Sequence, residues 1–480
     1  MKNNLLKTTI VGFAILVAML IGTSSCNIEQ PEDPNAPSVD AIESDATISE
    51  LNNVVTGMIG GMRDQVNIYL DDCGVIGRDY YRFTSADPRF TSDLPGTGDA
   101  ILDNNTFYIV NPWSAFYRVI RNGWVLRHAI DNTTAPLTQE QKNGYLGIAK
   151  TLQALMFIQV SNLTYSNGIR VDVEDPDNYG PIVDYNTALD FIATLLDDGY
   201  SDLQNGGDAF VADLSGGFAG FNTPQTFAQF NRALRARVAV YQQDWGGAID
   251  FLGESFYSLN GDLKAGCYIP YSTGSGEFAN QVFISIPNQA TNARVALNFW
   301  AEDAEAGDLR LSKVVQRSET AVSGNLSSDY DVAVWSSQDD DICIIRNEEL
   351  VLIAAEAQIQ NGDLAGGENA LNVIRNANGL DALTPGMTQS QLTDEMLKQR
   401  RYSLFAEGHR WVDMRRYNRL DQIEKQNADE DIWNAFPIPA AEPQELFKPT
   451  SKKKSAASGQ RFSFYLIHGS INLIHAASVH

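Results

Sequence analysis

Tyrosine and tryptophan rings that stand among arginine and aspartate residues are the feature of this sequence best suited to binding a ligand. They occur in two stretches, residues 74–112 and 260–341. A ring face can stack on the C–H face of a sugar, and the charged groups can hydrogen bond to its hydroxyls. The alternative for each ring is packing within its own loop. The candidate ligand-binding residues are Tyr80, Tyr81, Arg82, Asp87, Arg89, Tyr271, Trp300 and Trp335.

Charged residues at helical spacings form a second group in the last third of the chain. Glu349 and Glu356 lie on one predicted helix, and charges flank Trp411 in a later one. Side chains three or four residues apart on a helix can form ion pairs. The favoured interpretation is a buried polar network that locks helices together, and ligand contact is the alternative. The full group comprises Arg346, Glu349, Glu356, Glu407, Arg410, Trp411, Asp413, Arg415 and Arg416.

Catalytic signatures are missing from the sequence. It contains no G-x-S-x-G, H-E-x-x-H or phosphate-binding G-x-x-x-x-G-K-[ST] motif. His128 and His409 are expected to be structural or surface residues. Cys73, Cys267 and Cys343 are expected to be free thiols, with one disulfide bond as the alternative. We therefore predict no catalytic residues, no metal site and no cofactor.

The charge balance restricts the partners of the folded body. The 480 residues include 60 acidic and 35 basic ones, a formal net charge of −25. Like charges repel, so nucleic acid and anionic membrane surfaces are not expected to bind it. Apolar residues make up 44% of the chain, which predicts a mostly globular protein.

The N-terminus has the pattern of an export signal followed by a lipid-attachment site. Two lysines precede an apolar run of 14 residues, Thr9 to Gly22, which is shorter than the about 20 residues of a membrane-spanning helix. Small residues then lead to Cys26, whose sulfur is the predicted site of acylation. Ordinary secretion is the alternative. We predict a lipoprotein signal peptide over residues 1–25 and an acidic linker over 26–45.

Apolar residues at three- and four-residue spacings predict helices over most of the remaining chain. Short joins between several of them resemble tetratricopeptide-type pairing. The predicted fold class is all-α, mainly helical: tetratricopeptide-like helix pairs in an alpha-alpha superhelix. Residues 74–112 and 260–341 interrupt the pattern as long irregular insertions, which are expected to carry the binding site. The predicted helices cover residues 50–69, 113–130, 139–163, 184–203, 223–243, 244–259, 346–360, 366–378 and 392–406.

Four segments of the last third resemble motifs of the SusD/RagB family of outer-membrane nutrient-binding lipoproteins. Residues 346–357 (RNEELVLIAAEA) resemble the family's RNEELLLxxAEA helix, and residues 371–375 (LNVIR) resemble its LNxIR segment. Residues 399–416 (QRRYSLFAEGHRWVDMRR) resemble its ER…EfaxEGhRwxDlrR motif. FPIP at residues 436–439, followed by Glu442, resembles its closing xPIPxxE. The resemblance covers roughly residues 26–447.

The resemblance implies a glycan-binding lipoprotein without enzymatic activity. Such a protein would be anchored in the outer membrane through an acylated cysteine, exposed at the cell surface. Its implied partners are an oligosaccharide, membrane lipid and a TonB-dependent SusC-like transporter. The protein would cover this transporter and deliver the oligosaccharide to it. A binder of peptide or another non-sugar nutrient in the same role is the main alternative, and a surface glycosidase is the alternative among enzymes.

The resemblance also implies an organisation of the chain. It predicts four tetratricopeptide-like helix pairs with an inserted binding region. We expect an N-terminal helical region with binding loops over residues 46–300 and a C-terminal region over 301–447. Residues 448–480 depart from the family pattern, because they carry five basic residues, no acidic one and two β-prone apolar runs. We expect this tail to be disordered and dispensable, with a basic docking arm as the alternative.

Overall fold

The computed structural model describes residues 38–289 and 291–442. Cys26, most of the predicted linker and the predicted tail lie outside the described residues. The predicted mainly helical fold is confirmed. The helices are α1 (Val39–Asp45), α2 (Ile48–Gly61), α3 (Val66–Ile76), α4 (Phe107–Asn132), α5 (Gln139–Thr164), α6 (Tyr185–Gln204), α7 (Pro224–Tyr241), α8 (Trp245–Glu254), α9 (Asn298–Glu302), α10 (Asn347–Gln360), α11 (Leu364–Ala377), α12 (Gln389–Ser403) and α13 (Arg410–Arg416).

Capping residues explain where several helices begin. The hydroxyl of Thr138 accepts a hydrogen bond from the backbone N–H of Gln141, and the Gln141 side chain accepts one from the N–H of Thr138. This capping box satisfies N–H groups that have no partner inside helix α5. The same arrangement starts α12 at Thr388, and Asp184 caps α6 through its carboxylate. The predicted starts of these helices are therefore correct to within a few residues.

Consecutive helices pack against one another, as the tetratricopeptide-like prediction requires. Contacts join α4 to α5, α5 to α6, α6 to α7, α7 to α8 and α10 to α11. Gly147 allows the close approach of α5 to α6, because a Cβ atom there would lie 2.5 Å from Cγ of Leu203. No helix of residues 38–289 and 291–442 is long and apolar enough to cross a membrane.

The structure differs from two expectations near the N-terminus, one for a helix and one for the linker. The helix expected over residues 50–69 is broken between Gly61 and Val66, where Gln65 adopts a left-handed backbone conformation with φ of 60°. Part of the expected linker is also ordered, because Val39–Asp45 forms α1. Glu43 of α1 accepts hydrogen bonds from two residues of α4, Arg121 (3.1 Å) and Asn132 (2.8 Å). These tertiary contacts hold a short helix that its own sequence would not stabilise.

Strands replace much of the expected irregular structure. One sheet has the order β1-β5-β7-β6 and is antiparallel throughout, with Tyr80 opposite Ala296. Strands β2 and β3 form a separate two-stranded sheet, and β4 and β8 form another. The strands are β1 (Tyr80–Thr84), β2 (Ile169–Arg170), β3 (Ile182–Val183), β4 (Gly266–Ile269), β5 (Asn292–Ala296), β6 (Val314–Ser323), β7 (Leu326–Val332) and β8 (Ile342–Arg346).

One large core cluster runs from Ala46, which precedes α2, to Phe436 near the end of the described residues. A second, smaller cluster lies between α10, α11 and α12, around Leu352, Leu371 and Met396. The large cluster includes residues on both sides of position 300, where two regions are predicted to meet. The division there stays a prediction.

Candidate ligand-binding site

A groove of about 590 Å³ lies within the second insertion, beside the end of the β1–β5 strand pair. This volume is within the range of about 300–1,000 Å³ that is typical of small-molecule sites. The lining offers amide groups, a hydroxyl and a phenyl ring, which together can hydrogen bond to a polar ligand and stack on it. The lining residues are Phe283, Ile284, Ser285, Pro287, Gln289, Asn292 and Gln338.

The buried side chain of Asn288 holds the loop that forms one wall of the groove. Its Nδ2 donates hydrogen bonds to the carbonyl oxygens of Ile284 (3.2 Å) and Ser285 (3.0 Å). Its Oδ1 accepts one from the backbone N–H of Arg294 (3.1 Å) in β5. The backbone N–H of Asn288 donates to Asp331 Oδ2 (3.0 Å) in β7. A side chain that is 3% exposed thus connects the loop to the sheet.

Buried ion pairs support the sheet beneath the groove. Arg294 donates to both carboxylate oxygens of Asp71, at 2.7 Å each, and the hydroxyl of Tyr80 donates to Asp71 Oδ1 at 3.0 Å. Burial disfavours the charged guanidinium, but the contact with Asp71 raises the pKa of Arg294 above its usual value. Arg317 forms a second pair with Asp331 and donates to the carbonyl oxygen of Asn288. Such charge-assisted contacts hold the sheet and the groove loop together.

A chain of arginine and phenylalanine side chains continues from the groove along the first insertion. Arg82 Nη2 donates to Asn292 Oδ1 (2.7 Å), and its guanidinium lies 5.9 Å from the centre of the Phe90 ring. The Phe90 and Phe107 rings lie 4.7 Å apart, and the Arg89 guanidinium lies 5.6 Å from Phe107. We call Arg82, Phe90, Phe107 and Arg89 the arginine–phenylalanine strip. Cation–π contacts of this kind fix guanidinium groups in place.

Asp87 orients the outer end of the strip. Both of its carboxylate oxygens accept hydrogen bonds from Arg89, each at 2.9 Å. These bonds raise the pKa of Arg89, and, against the opposing effect of burial, they lower the pKa of Asp87. The Arg89 side chain remains 44% exposed. Of the eight predicted ligand-binding residues, Arg82 therefore contacts a lining residue of the groove, and Asp87 and Arg89 lie partly exposed at the far end of the strip.

Three predicted ligand-binding rings are part of the core, so the packing alternative holds for them. Tyr80, Tyr81 and Trp300 are fully buried. Tyr81 donates to Glu430 Oε2 at 2.7 Å, and Trp300 packs against Phe405 with ring centres 4.3 Å apart. The expectation that these rings project from a loop is wrong, because Tyr80 and Tyr81 lie in β1 between α3 and β5, and Trp300 lies in α9.

The last two predicted rings also face inward. Tyr271 is 9% exposed and Trp335 is 7% exposed, and both belong to the large core cluster under the loops that flank the groove. Rings of this insertion that lie nearer the surface include Phe283, which lines the groove, and Phe278, which is 59% exposed in the preceding loop. The sequence analysis named neither, and its only signal for them was their position in the second insertion.

The charged residues of the last third form a buried polar network. Arg237 of α7 donates to both oxygens of Glu349 in α10, at 2.7 Å each. Burial opposes ionisation of Glu349, but the charge of Arg237 and its hydrogen bonds lower the pKa of Glu349 to about 2. Burial lowers the pKa of His409, which favours its neutral form. These contacts join α7 to α10 across the two predicted regions.

The same network continues through the longest family-like motif. Arg416 binds both oxygens of Glu356 and lies 3.0 Å from Asp413, to which Arg400 donates at 2.6 Å. Arg346 contacts Glu407. The remaining residues donate to backbone carbonyl oxygens: Arg410 to Gly77, Trp411 to Trp433, and Arg415 to Asn162 and Asn434. This arrangement matches the favoured interpretation of a buried polar network.

Metal-ligating side chains do not converge in the described part of the chain: no group of three or more His, Cys, Asp or Glu residues there could hold a metal ion. In the structure Cys73, Cys267 and Cys343 are free thiols, as expected, and no two of them form the disulfide bond that was the alternative.

Comparison with known proteins agrees with the sequence motifs. A model of the SusD family matches residues 313–465, a range that contains all four family-like segments and continues beyond residue 447. A SusD-like carbohydrate binding protein from Bacteroides vulgatus has a similar fold, with a TM-score of 0.59 and 15% identity over 78% of this chain and 84% of that one. No curated protein sequence matches the chain.

Two further solved structures share the fold. One is a laminarin binding SusD-like protein, with a TM-score of 0.61 and 17% identity over 82% of this chain and 96% of that one. The other is surface glycan-binding protein A from Bacteroides thetaiotaomicron in complex with laminarihexaose. Its TM-score is 0.62, with 15% identity over 80% of this chain and 93% of that one. The family match over residues 313–465 and the shared fold of these structures agree with the predicted resemblance to the SusD/RagB family.

Proposed function

We propose that this protein is a cell-surface glycan-binding lipoprotein and that the groove is its oligosaccharide site. The observation that carries the proposal is the groove itself, in which amide and hydroxyl groups surround a phenyl ring on a SusD-like scaffold. The laminarin-binding and laminarihexaose-bound proteins of the same fold support a glycan as the ligand class.

The groove offers the two kinds of contact that a sugar ring requires. The phenyl ring of Phe283 can pack against the C–H face of a pyranose. Gln289, Asn292 and Gln338 supply amide groups, each of which can donate to one hydroxyl and accept from another. Asn292 Oδ1 already accepts a hydrogen bond from Arg82, which orients the amide so that Nδ2 is its group for donating to a ligand.

The wider role follows from the family and from the N-terminal pattern. We propose that acylated Cys26 anchors the protein in the outer membrane and that the body covers a TonB-dependent SusC-like transporter and passes oligosaccharides to it. The export signal, the lipid-attachment pattern and the family match support this role. The protein would bind and deliver its ligand without catalysing a reaction.

Calorimetric titration of the purified protein with laminarihexaose and with hexasaccharides of other linkages tests the proposal. We expect at least one oligosaccharide to bind. Gln338→Ala should weaken that binding by about three- to tenfold, the equivalent of one hydrogen bond. Gln204→Ala, at an exposed glutamine that ends α6, is the matched control and should leave affinity unchanged.

Two outcomes would contradict the proposal. If no oligosaccharide binds to folded protein, the glycan function is wrong. Titration with peptides in the same buffer then tests the peptide-binding alternative. If glycans bind but Gln338→Ala and Gln204→Ala behave alike, the site lies elsewhere than in the groove.

A further inference from the structure

We infer that the groove selects uncharged oligosaccharides and discriminates against glycans that carry carboxylate or sulfate groups. This inference rests on the proposed glycan-binding function and specifies its ligand class. Three features of the described residues carry it: the neutral lining of the groove, the acidic residues beside it, and the internal pairing of nearby arginines.

The first feature is the lining, in which all seven described side chains are uncharged. Sites for anionic ligands commonly present arginine or lysine, because a charge-assisted hydrogen bond compensates the loss of hydration. A carboxylate placed among Gln289, Asn292 and Gln338 would lose water and gain only neutral partners. A hydroxyl group in the same position loses much less hydration, and an amide satisfies it.

The second feature is the acidic flank of the groove. Gln338 is followed directly by Asp339 and Asp340. Asp339 is exposed and is held by the backbone N–H of Thr273, which donates to Oδ1 at 2.5 Å. Burial opposes ionisation of Asp340, but hydrogen bonds from Ser337 and Ser336 lower the pKa of the Asp340 carboxyl. These negative charges, in a chain of net charge −25, repel an anionic ligand at the Gln338 side.

The third feature concerns the arginines that contact a lining residue of the groove or the loop that carries it. Arg82 donates to Asn292, and its Nη1 donates to the carbonyl oxygens of Phe83 (2.7 Å) and Ala293 (3.2 Å). Arg294 and Arg317 lie beneath the loop and are paired with buried aspartates. Their positive charges therefore stabilise the sheet and the loop, and a ligand would have to break these contacts to use them.

Paired oligosaccharides provide the test. Each neutral hexasaccharide that binds is compared with the same hexasaccharide oxidised at C6 to uronic acid, by calorimetry at 50 and 500 mM NaCl. We expect the neutral member to bind at least about tenfold more tightly, since the carboxylates lose hydration without a cation to replace it. We also expect its Kd to change less than twofold with salt, because no ion pair is formed.

Variants separate the contribution of the flank. Asp339→Asn should strengthen binding of the oxidised oligosaccharide by about twofold and leave binding of the neutral one unchanged. Gln338→Lys should narrow the difference between the two members, because it supplies the missing cation. If the oxidised member binds as tightly as the neutral one, or if neutral binding weakens strongly with salt, the inference is overturned while the glycan function stands. If neither member of any pair binds, both fail.

Discussion

Replacing Asn288 with alanine removes the side chain that attaches the groove loop to the sheet. The variant loses two hydrogen bonds to loop carbonyl oxygens and one from the backbone of Arg294, with lengths of 3.0–3.2 Å. Each such bond contributes about 1 kcal/mol net, so the ordered loop should lose about 2–3 kcal/mol. The four lining residues at positions 283–287 would then sample open conformations.

Two measurements follow from that loss. The backbone N–H groups over residues 284–289, which exclude Pro287, should exchange hydrogen faster in Asn288→Ala, with or without ligand, because opening of the loop becomes easier. Ligand binding must then supply the ordering energy, so affinity should fall by up to about 2–3 kcal/mol, on the order of 30- to 150-fold. The melting temperature should fall by only a few degrees, because the helical core is untouched.

Asn186→Ala, at an exposed asparagine in the first turn of α6, is the matched control and should change neither exchange nor affinity. Asn288→Asp keeps an acceptor for the Arg294 N–H but loses both donors and places a carboxylate near Asp331, so it should be at least as damaging as alanine. Unchanged exchange over residues 284–289 in Asn288→Ala would refute the role of this side chain, whatever the ligand.

Four further predictions concern stability and anchoring. Arg237→Ala should lower the free energy of unfolding, measured in urea, by about 3–5 kcal/mol, because it leaves the Glu349 carboxylate buried without its partner. Replacing both Arg237 and Glu349 with leucine should recover most of that loss. Burial raises the pKa of Asp79 to about 7, although the charge of Arg410 opposes this shift. The raised pKa stabilises the folded state fully below about pH 4, and this stabilisation is lost as pH rises from about 4 through about 7. Asp79→Asn should therefore gain stability relative to the wild type over that pH range, and a constant difference would contradict this. Trp300→Ala should cost about 3–5 kcal/mol of stability with little effect on the affinity of the folded protein, the reverse of what a ligand-stacking ring would show. Cys26→Ala should abolish palmitate labelling and release the protein from membrane fractions, and continued labelling would contradict lipid attachment.

Local patterns in the sequence were sufficient to predict most of the helical scaffold. Helix α5, for example, begins after Thr138 and ends within one residue of its predicted end, because capping and apolar periodicity act over three or four residues. The charges around Trp411 were assigned to a buried network for a similar reason: their spacing places them on helices, where packing buries them. The C-terminal motifs were specific enough to indicate the family.

Exposure of the aromatic rings, in contrast, was decided by contacts between distant parts of the chain. Tyr80 is buried because β1 pairs with β5, more than two hundred residues later, and no local pattern records that pairing. The groove arises in the same way, since Asn288 connects its loop to β5 and β7, and Gln338 reaches it from beyond β7. The sequence alone determined most of the long helices, several of their caps and the insertion that carries the candidate site, because those depend on neighbouring residues. Only the tertiary structure decided which side chains of the insertion face a ligand, because strand pairing and burial depend on the whole fold.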